Sequence, residues 1–448
     1  MIRIGAVVLA AMLAMAPLGA KSADLVVWWE KGFYEQEDEA VREIIAAFEQ
    51  KTGKQVELVL EKWEHVRDDA VAAIETGRPP PDFIFTVNVI PHRDQWAYEG
   101  RLVELTDAIG PMREMFAPYA LEHVTLFDGT TGQRGLYALP IGFSTFHIHV
   151  WKSLLERAGL RLEDIPREWE AFWTFWCDRV QPAVREALGR DDVWGVGLPM
   201  AVGSPDTEDG FWQFVEAYEA NYVTPDGRLV IDDPEVRRRL IEVIDRYTAV
   251  YRQGCTPPDS LTWAAYDNNA RFLAQTIVMT VNSTLSIPNE LKAARPEDYY
   301  DSTMTIDWPD GAHGQPLAIV TWIHSAIVFK DGGHVATAKE FVSFLSSEGW
   351  LAHYLDFAGD RMMPPMPALL EAPFWLDPGD PHRIRSAMQL LTRPQNRSYV
   401  ALSGDWRHGK VIQEDVWTKA IHRVATGELT PEQAVDEAIA RVKQILSE

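Results

Sequence analysis

Seventeen tryptophans, together with acidic, amide and hydroxyl side chains at the ends of strand-like runs, are the residues of this 448-residue chain best suited to chemistry. An indole offers a flat face for the apolar C–H patches of a polyhydroxylated ring, while Asp, Asn, Ser and Arg supply hydrogen bonds that orient its hydroxyls. In open α/β sheets ligands bind beyond the carboxyl ends of the strands, and Glu30, Trp63 and Asn88 stand at three such ends. Asn282 and Ser283 follow the strand-like "TIVMTV", and Ser144 lies just past "LPIGF". Asp206 and Asp209 precede Trp212 in a Gly-containing stretch, where the competing reading is a solvated loop that caps the next helix. Many of the tryptophans must simply be core residues. His147 and His149 alternate along a strand and face one way, as two zinc ligands would, yet no third ligand is evident nearby. A pair of hydrogen-bonded histidines is the expectation there. G-x-S-x-G, H-E-x-x-H and P-loop signatures are missing from the sequence.

The elements that must position these residues read as strands alternating with helices. Leu25–Trp29 is a strand run, followed by a helix with Val41, Ile44, Ile45 and Phe48 at helical spacing and Gly53 as its stop. Val56–Leu60 is the next strand, Val66–Thr76 a helix, and Phe83–Val87 a third strand. This order builds a parallel or mixed sheet covered on both faces, an α/β lobe. Further on, Trp169–Cys177 reads as an aromatic helix and Asp233–Tyr251 as a long amphipathic one. In the last helix Thr430 and Gln433 form a capping box, with Pro431 in the first turn and an apolar stripe of Val435, Ala438, Ile439, Val442 and Leu446.

The bulk properties bound the rest. Residues 1–23 have the layout of a cleaved signal peptide: Arg3, an apolar run from Ile4 to Ala16, then small residues. That run is shorter than the roughly 20 residues needed to cross a bilayer, and lipid attachment would need a cysteine at the cleavage point. The only cysteines are Cys177 and Cys255, and the sequence reading favours two unpaired thiols over a bridge. A formal net charge of −24 repels nucleic acid and anionic lipid. The length exceeds what one hydrophobic core usually supports, so two lobes are expected.

An ordered set of short motifs carries a resemblance that covers nearly the whole mature chain. "VVWW" precedes a helix ending in "FEQKTG"; "RPPPDFIF" is followed by "WAYEGRLVELTDAI", then by "GLYALPIGFSTF", "WKSLLERAGL" and "IPREWEAF". "DDPEVRRRLIEVI", "ARFLAQTIVMTVNS", "WPDGAHGQ", "AKEFVSFLSSEGW" and "ATGELTPEQAVDEAIARVKQIL" come after them. The chain thereby resembles the sugar-binding solute-binding proteins of ABC importers, family 1, which include maltose-binding and glycerol-phosphate-binding proteins. It departs from them at Val150-Trp151-Lys152, where many members have Tyr-Asn-Lys, and at His147 and His149, in a strand that is usually apolar.

The resemblance implies a two-lobed periplasmic binding protein fold with discontinuous lobes, a hinge and an interlobe cleft. Lobe one is expected over 24–139 plus 303–354 and lobe two over 140–302 plus 355–448, with crossings near 140–144, 302–307 and 355–360. It further implies a ligand site drawn from Trp29, Glu30, Trp63, Asn88, Ser144, Asp209, Trp212, Asn282, Ser283, Trp322 and Arg361. The same source implies a periplasmic monomer that uses no cofactor and passes its ligand to permease transmembrane subunits driven by a separate ATPase. Two rivals stand beside a neutral sugar ligand. A phosphorylated or sulfonated polyol would need a cation in the cleft, Arg361 first; for Arg361 the competing reading is a surface salt bridge. A secreted carbohydrate-active enzyme would need a carboxylate pair across one glycosidic bond.

Overall fold

The computed structural model describes residues 23–87, 90–347, 349–394 and 404–448. The signal-peptide reading and Asn88 therefore lie outside the described residues. Eleven strands are present among those described: β1 Leu25–Glu30, β2 Val56–Glu61, β3 Phe83–Phe85, β4 Thr125–Asp128, β5 Gln133–Leu136, β6 Leu139–Thr145, β7 His147–Trp151, β8 Trp194–Gly197, β9 Ile277–Asn282, β10 Thr303–Ile306 and β11 Thr321–Val328.

They form two main sheets and a separate β4–β5 hairpin. The first sheet has the order β2-β1-β3-β11-β6, parallel among β1, β2 and β3 and antiparallel at β11. The second has the order β10-β7-β9-β8. Each sheet carries its own hydrophobic core. Val27, Trp29, Val41, Ile44, Phe48 and Phe83 belong to the first, and Ile148, Trp151, Trp169, Phe211, Val281 and Trp417 to the second. Strands β3, β6, β7 and β9 are buried on both faces because helices cover the sheets, which is why they read as largely apolar runs.

The helix Glu35–Thr52 buries Val41, Ile44, Ile45 and Phe48, and Gly53 ends it at φ 72°, a left-handed conformation that glycine adopts without a Cβ clash. The capping box forms at the last helix, Pro431–Ser447: Gln433 N–H donates to Thr430 Oγ1 at 3.3 Å and Thr430 N–H to Gln433 Oε1 at 3.0 Å. Its buried face is Ala434, Val435, Ala438, Val442 and Ile445, so Ile439 and Leu446 sit at the edge of the stripe.

The chain changes lobes at two adjacent points. Phe146, in the second core, separates β6 from β7, and its N–H donates to the carbonyl of Val320 at 3.1 Å. Val320 belongs to the second core and Thr321 opens β11 in the first sheet, so the two crossings run side by side. This corrects the expected boundaries. β10 lies in the second sheet, its Thr303 in register with Trp151, and not in lobe one. The crossing expected at 302–307 thus falls after Val320. The third is also later: Leu355, Met362, Met363, Met366, Leu370, Trp375 and Ala387 pack in the first core, whereas Val411 packs in the second. A short strand such as β10 carries no signal of which sheet it joins, and Met363 is claimed by first-sheet strand β6 through paired backbone bonds with Phe143 at 2.7 and 2.9 Å.

The cysteine expectation is also corrected. Cys177 and Cys255 form a disulfide with their Cα atoms 5.1 Å apart. It joins the helical segment Phe175–Val180 to the segment after the helix Pro234–Arg252, two places that sequence distance alone does not bring together. The bridge closes a loop 78 residues long. Replacing both cysteines by serine is expected to lower stability by about 2–4 kcal/mol, read as a lower urea midpoint. An unchanged midpoint would mean that packing alone holds these segments.

Candidate functional site

The lobes meet at an interlobe cleft, where Tyr266 lies within electrostatic reach of Glu30, Arg361 and Asp206, and Asp209 within reach of Ser283 and Trp322. Its walls thus draw on the carboxyl end of β1, the segment around Arg361, the start of β11, the turn after β9 and the helix Pro205–Ala217. On the first wall Glu30 closes β1 and accepts a hydrogen bond from the N–H of Val87 at 2.7 Å. Glu37 accepts the N–H groups of Phe33 at 3.0 Å and Tyr34 at 3.2 Å, which shapes the loop between β1 and its helix. Arg361 ties both carboxylates together: its Nη1 lies 3.4 Å from Glu30 and its Nε donates to Glu37 at 3.2 Å. All three are largely buried. Burial raises the Glu30 pKa, with the guanidinium opposing. Arg361 is therefore held in a buried ion pair, neither the surface salt bridge nor a free cation in the cleft.

On the second wall the helix Pro205–Ala217 presents Asp206 and Asp209. These residues lie inside the helix and are buried, which corrects the reading of a solvated capping loop. Ser283 Oγ donates to Asp206 Oδ1 at 3.0 Å, and Ser283 and Trp322 both offer hydrogen bonds to Asp209. Trp322 is half-buried, in register with Ser144 on β6, and packs against the second core, so it stands where the lobes meet.

Two exposed aromatic rings were missed by the sequence reading. Phe33, 44% exposed, follows β1, and Tyr266, 54% exposed, precedes the helix Asp267–Leu273; their ring centroids are 5.9 Å apart across the cleft. Tyr266 also feels Arg361, Glu64 and Glu30 from one wall and Asp206 from the other. Phe33 was within reach of the strand-end rule, three residues past Glu30. Nothing local marks Tyr266. At the cleft edge Tyr98 meets Trp406 at 5.5 Å and His92 meets Gln413 at 3.4 Å, joining the lobes a second time.

The other candidates are engaged by their own neighbours. Trp29 is buried in the first core against Phe83, Phe85 and Tyr354. Trp212 is buried in the second core, its indole N–H donating to Glu208 at 2.8 Å. Asn282 spends its amide on bracing the turn, donating to the Thr284 carbonyl at 2.9 Å and to Ser286 Oγ at 3.1 Å. Trp63 starts the helix Trp63–Glu75, half-buried, with the Arg67 guanidinium 5.1 Å over its ring. Ser144 is buried and bonded to His324. His147 meets Ser386 at 2.6 Å and His149 meets Thr305 at 2.9 Å, and His382 joins them through Thr305 at 2.8 Å. Among the described residues no group of three or more His, Cys, Asp or Glu is arranged to hold a metal ion.

Two lobes, a double crossing and a cleft that sets aromatic rings beside buried carboxylates define a binding architecture, and comparison with known proteins agrees. The chain belongs to the bacterial extracellular solute-binding proteins, whose family model matches residues 43–379. Its fold is shared with an ABC transporter solute-binding protein of Thermotoga lettingae TMO bound with α-D-tagatose, with a TM-score of 0.73 and 20% identity over 94% of this chain and 99% of that one. It is shared as well with a sugar transporter from Arthrobacter chlorophenolicus A6 with bound laminaribiose, at a TM-score of 0.70 and 15% identity over 94% and 98% of the chains. A third is maltose-bound T. maritima MalE3, at 0.69 and 20% over 93% and 99%. A search of curated proteins gave no match.

Proposed function

We propose that this chain is the solute-capturing component of an ABC importer and that its ligand is a carbohydrate held between the lobes. The observation that carries this reading is the cleft itself: the Phe33, Tyr266 and Trp322 rings stand beside Ser283 and buried carboxylates, the combination of flat apolar faces and directional acceptors that a sugar ring requires. The sugars named with the structural neighbours support it. The N-terminal layout supports export to the periplasm as a soluble monomer. In this reading the ligand favours the closed form because only there does it touch both walls, and permease subunits with a separate ATPase complete transport. The chain itself performs no covalent step and takes no cofactor.

A phosphorylated or sulfonated ligand is the weaker reading, because Arg361 is already balanced by Glu30 and Glu37. The carbohydrate-active enzyme is weaker too, since the family is one of binding proteins. Trp322→Ala is expected to weaken ligand binding on the order of 30-fold, equivalent to about 2 kcal/mol, with the fold retained. An unchanged titration would remove Trp322 from the site. Tyr266→Ala is expected to act in the same direction without loss of thermal stability, because more than half of its surface is exposed.

A further inference from the structure

The second wall of the cleft carries more negative charge than a neutral sugar needs. Asp206 and Asp209 are three residues apart on one helix, hence on the same face, and both are 6% exposed, with Glu208 beside them at 8%. Ser283 satisfies Asp206 Oδ1, while Oδ2 is buried without a hydrogen-bond partner among the described residues. Buried polar atoms are normally paired, so this oxygen points to a group that is supplied by the ligand.

Charge balance narrows its nature. Among the described residues none of the ion pairs involves Asp206, Glu208 or Asp209. Among the described residues the groups that face them are Asn268, Ser283, Trp322, Trp212, Asp415 near Glu208, and Tyr247 from the helix Pro234–Arg252, none of these a cation. Arg361, on the opposite wall, is taken up by Glu30 and Glu37. A buried carboxylate pair without a counter-ion is stabilised either by a proton or by a positive group brought in from outside.

We infer that the cleft selects a carbohydrate bearing an ammonium group, an amino sugar or an amine-bearing oligosaccharide, received between Asp206 and Asp209 while its ring lies on Trp322 and Tyr266. This deepens the carbohydrate reading and rests on it. Burial pushes Asp206 up to about 6, and burial together with Asp206 raises Asp209 further. The empty site therefore takes up protons, and a cationic ligand displaces them. Affinity then falls as pH drops through this range, the opposite of what a neutral sugar accepting hydrogen bonds from protonated carboxyls would show.

The test is calorimetric titration of the mature, disulfide-bonded protein with glucosamine, N-acetylglucosamine and glucose, and with deacetylated and acetylated chitin oligosaccharides. Titrations are made at pH 7.5 and 5.0, in buffers of different ionisation enthalpy. Expected are at least tenfold tighter binding of the free amine than of its acetylated or neutral counterpart, proton release on binding, and at least tenfold weaker binding at pH 5.0. Asp209→Asn is expected to lower the ratio of amine to acetylated-sugar affinity at least tenfold, whatever it does to the affinity for either sugar alone. Equal or tighter binding of the acetylated or neutral form, with no loss on acidification, overturns the amine assignment and leaves the carbohydrate reading standing. If no carbohydrate of either kind binds, the carbohydrate reading falls and the amine assignment with it. The acetylation comparison uses the unaltered protein, so the outcome does not depend on the variant's folding.

Discussion

Replacing Arg361 by methionine is expected to cost about 3–5 kcal/mol of folding stability, seen as a fall in the urea midpoint at pH 7. The guanidinium holds Glu30 and Glu37 together inside the first wall, and all three side chains are largely excluded from water. Methionine of similar length would strand two carboxylates that have lost their counter-charge. The expected signature is partial rescue: adding Glu37→Gln to the Arg361→Met variant removes one of the orphaned charges and should recover part of the loss. Glu37 also receives the N–H groups of Phe33 and Tyr34, so the same variant should loosen the loop that carries Phe33 into the cleft and weaken ligand binding. A midpoint within experimental error of the parent would mean that the three groups are solvated in solution.

The second large effect is a loss of stability as pH falls below about 6.5, driven by buried histidines and only partly opposed by buried carboxyls. His123, His147 and His324 are pushed down to about 3 by burial, and His382 and His408 to about 4. Between pH 6.5 and these values the unfolded chain binds protons that the native chain refuses. Stability therefore falls as pH falls, by about 1.4 kcal/mol per unit for each histidine. Asp206 and Glu208 act in the opposite sense. Burial raises them to about 6 and about 7, so the native chain protonates first and gains stability as pH falls from 7 toward the ordinary carboxylate range. Asp209 is raised for the same reason and adds to the gain. The five histidines, joined by His149, outnumber these three carboxyls, so the offset is partial and stability declines by about 3–4 kcal/mol per pH unit between pH 6 and 4.5. Below that range the carboxyl offset is gone, and the histidines set near 3, His149 and carboxylates held low by their partners, such as Asp380 and Asp405, carry the slope to about 4 kcal/mol per pH unit or more. Urea midpoints measured at pH 7, 5, 4 and 3.5 check this. A profile that stays flat from pH 7 to 4 would contradict the burial of these histidines.

Much of the architecture was legible because it is written locally. Helical spacing at Val41, Ile44, Ile45 and Phe48, the Gly53 stop and the Thr430–Gln433 capping box are each decided within a few residues, and all are present in the structure. What failed was long-range. The sheet that β10 joins, the passage of Met362 and Met363 into the first core, and the pairing of Cys177 with Cys255 depend on contacts between distant segments. The site shows the same division. Asp209, Ser283 and Trp322 stand together at the cleft, while Trp29 and Trp212, equally good candidates by residue type, are consumed by the two cores. An indole looks the same in sequence whether it faces a ligand or fills a core. Tyr266 was invisible because its role comes from opposing Phe33 across two lobes.

The most direct test of the central claim is titration of the purified mature protein with a panel of mono- and oligosaccharides, neutral and amine-bearing, followed by analysis of the recovered sugar. Saturable binding of one compound, recovered chemically unchanged and bound far more weakly by Trp322→Ala, is the predicted result. Cleavage of the sugar, or binding that Trp322→Ala and Tyr266→Ala leave untouched, would contradict it.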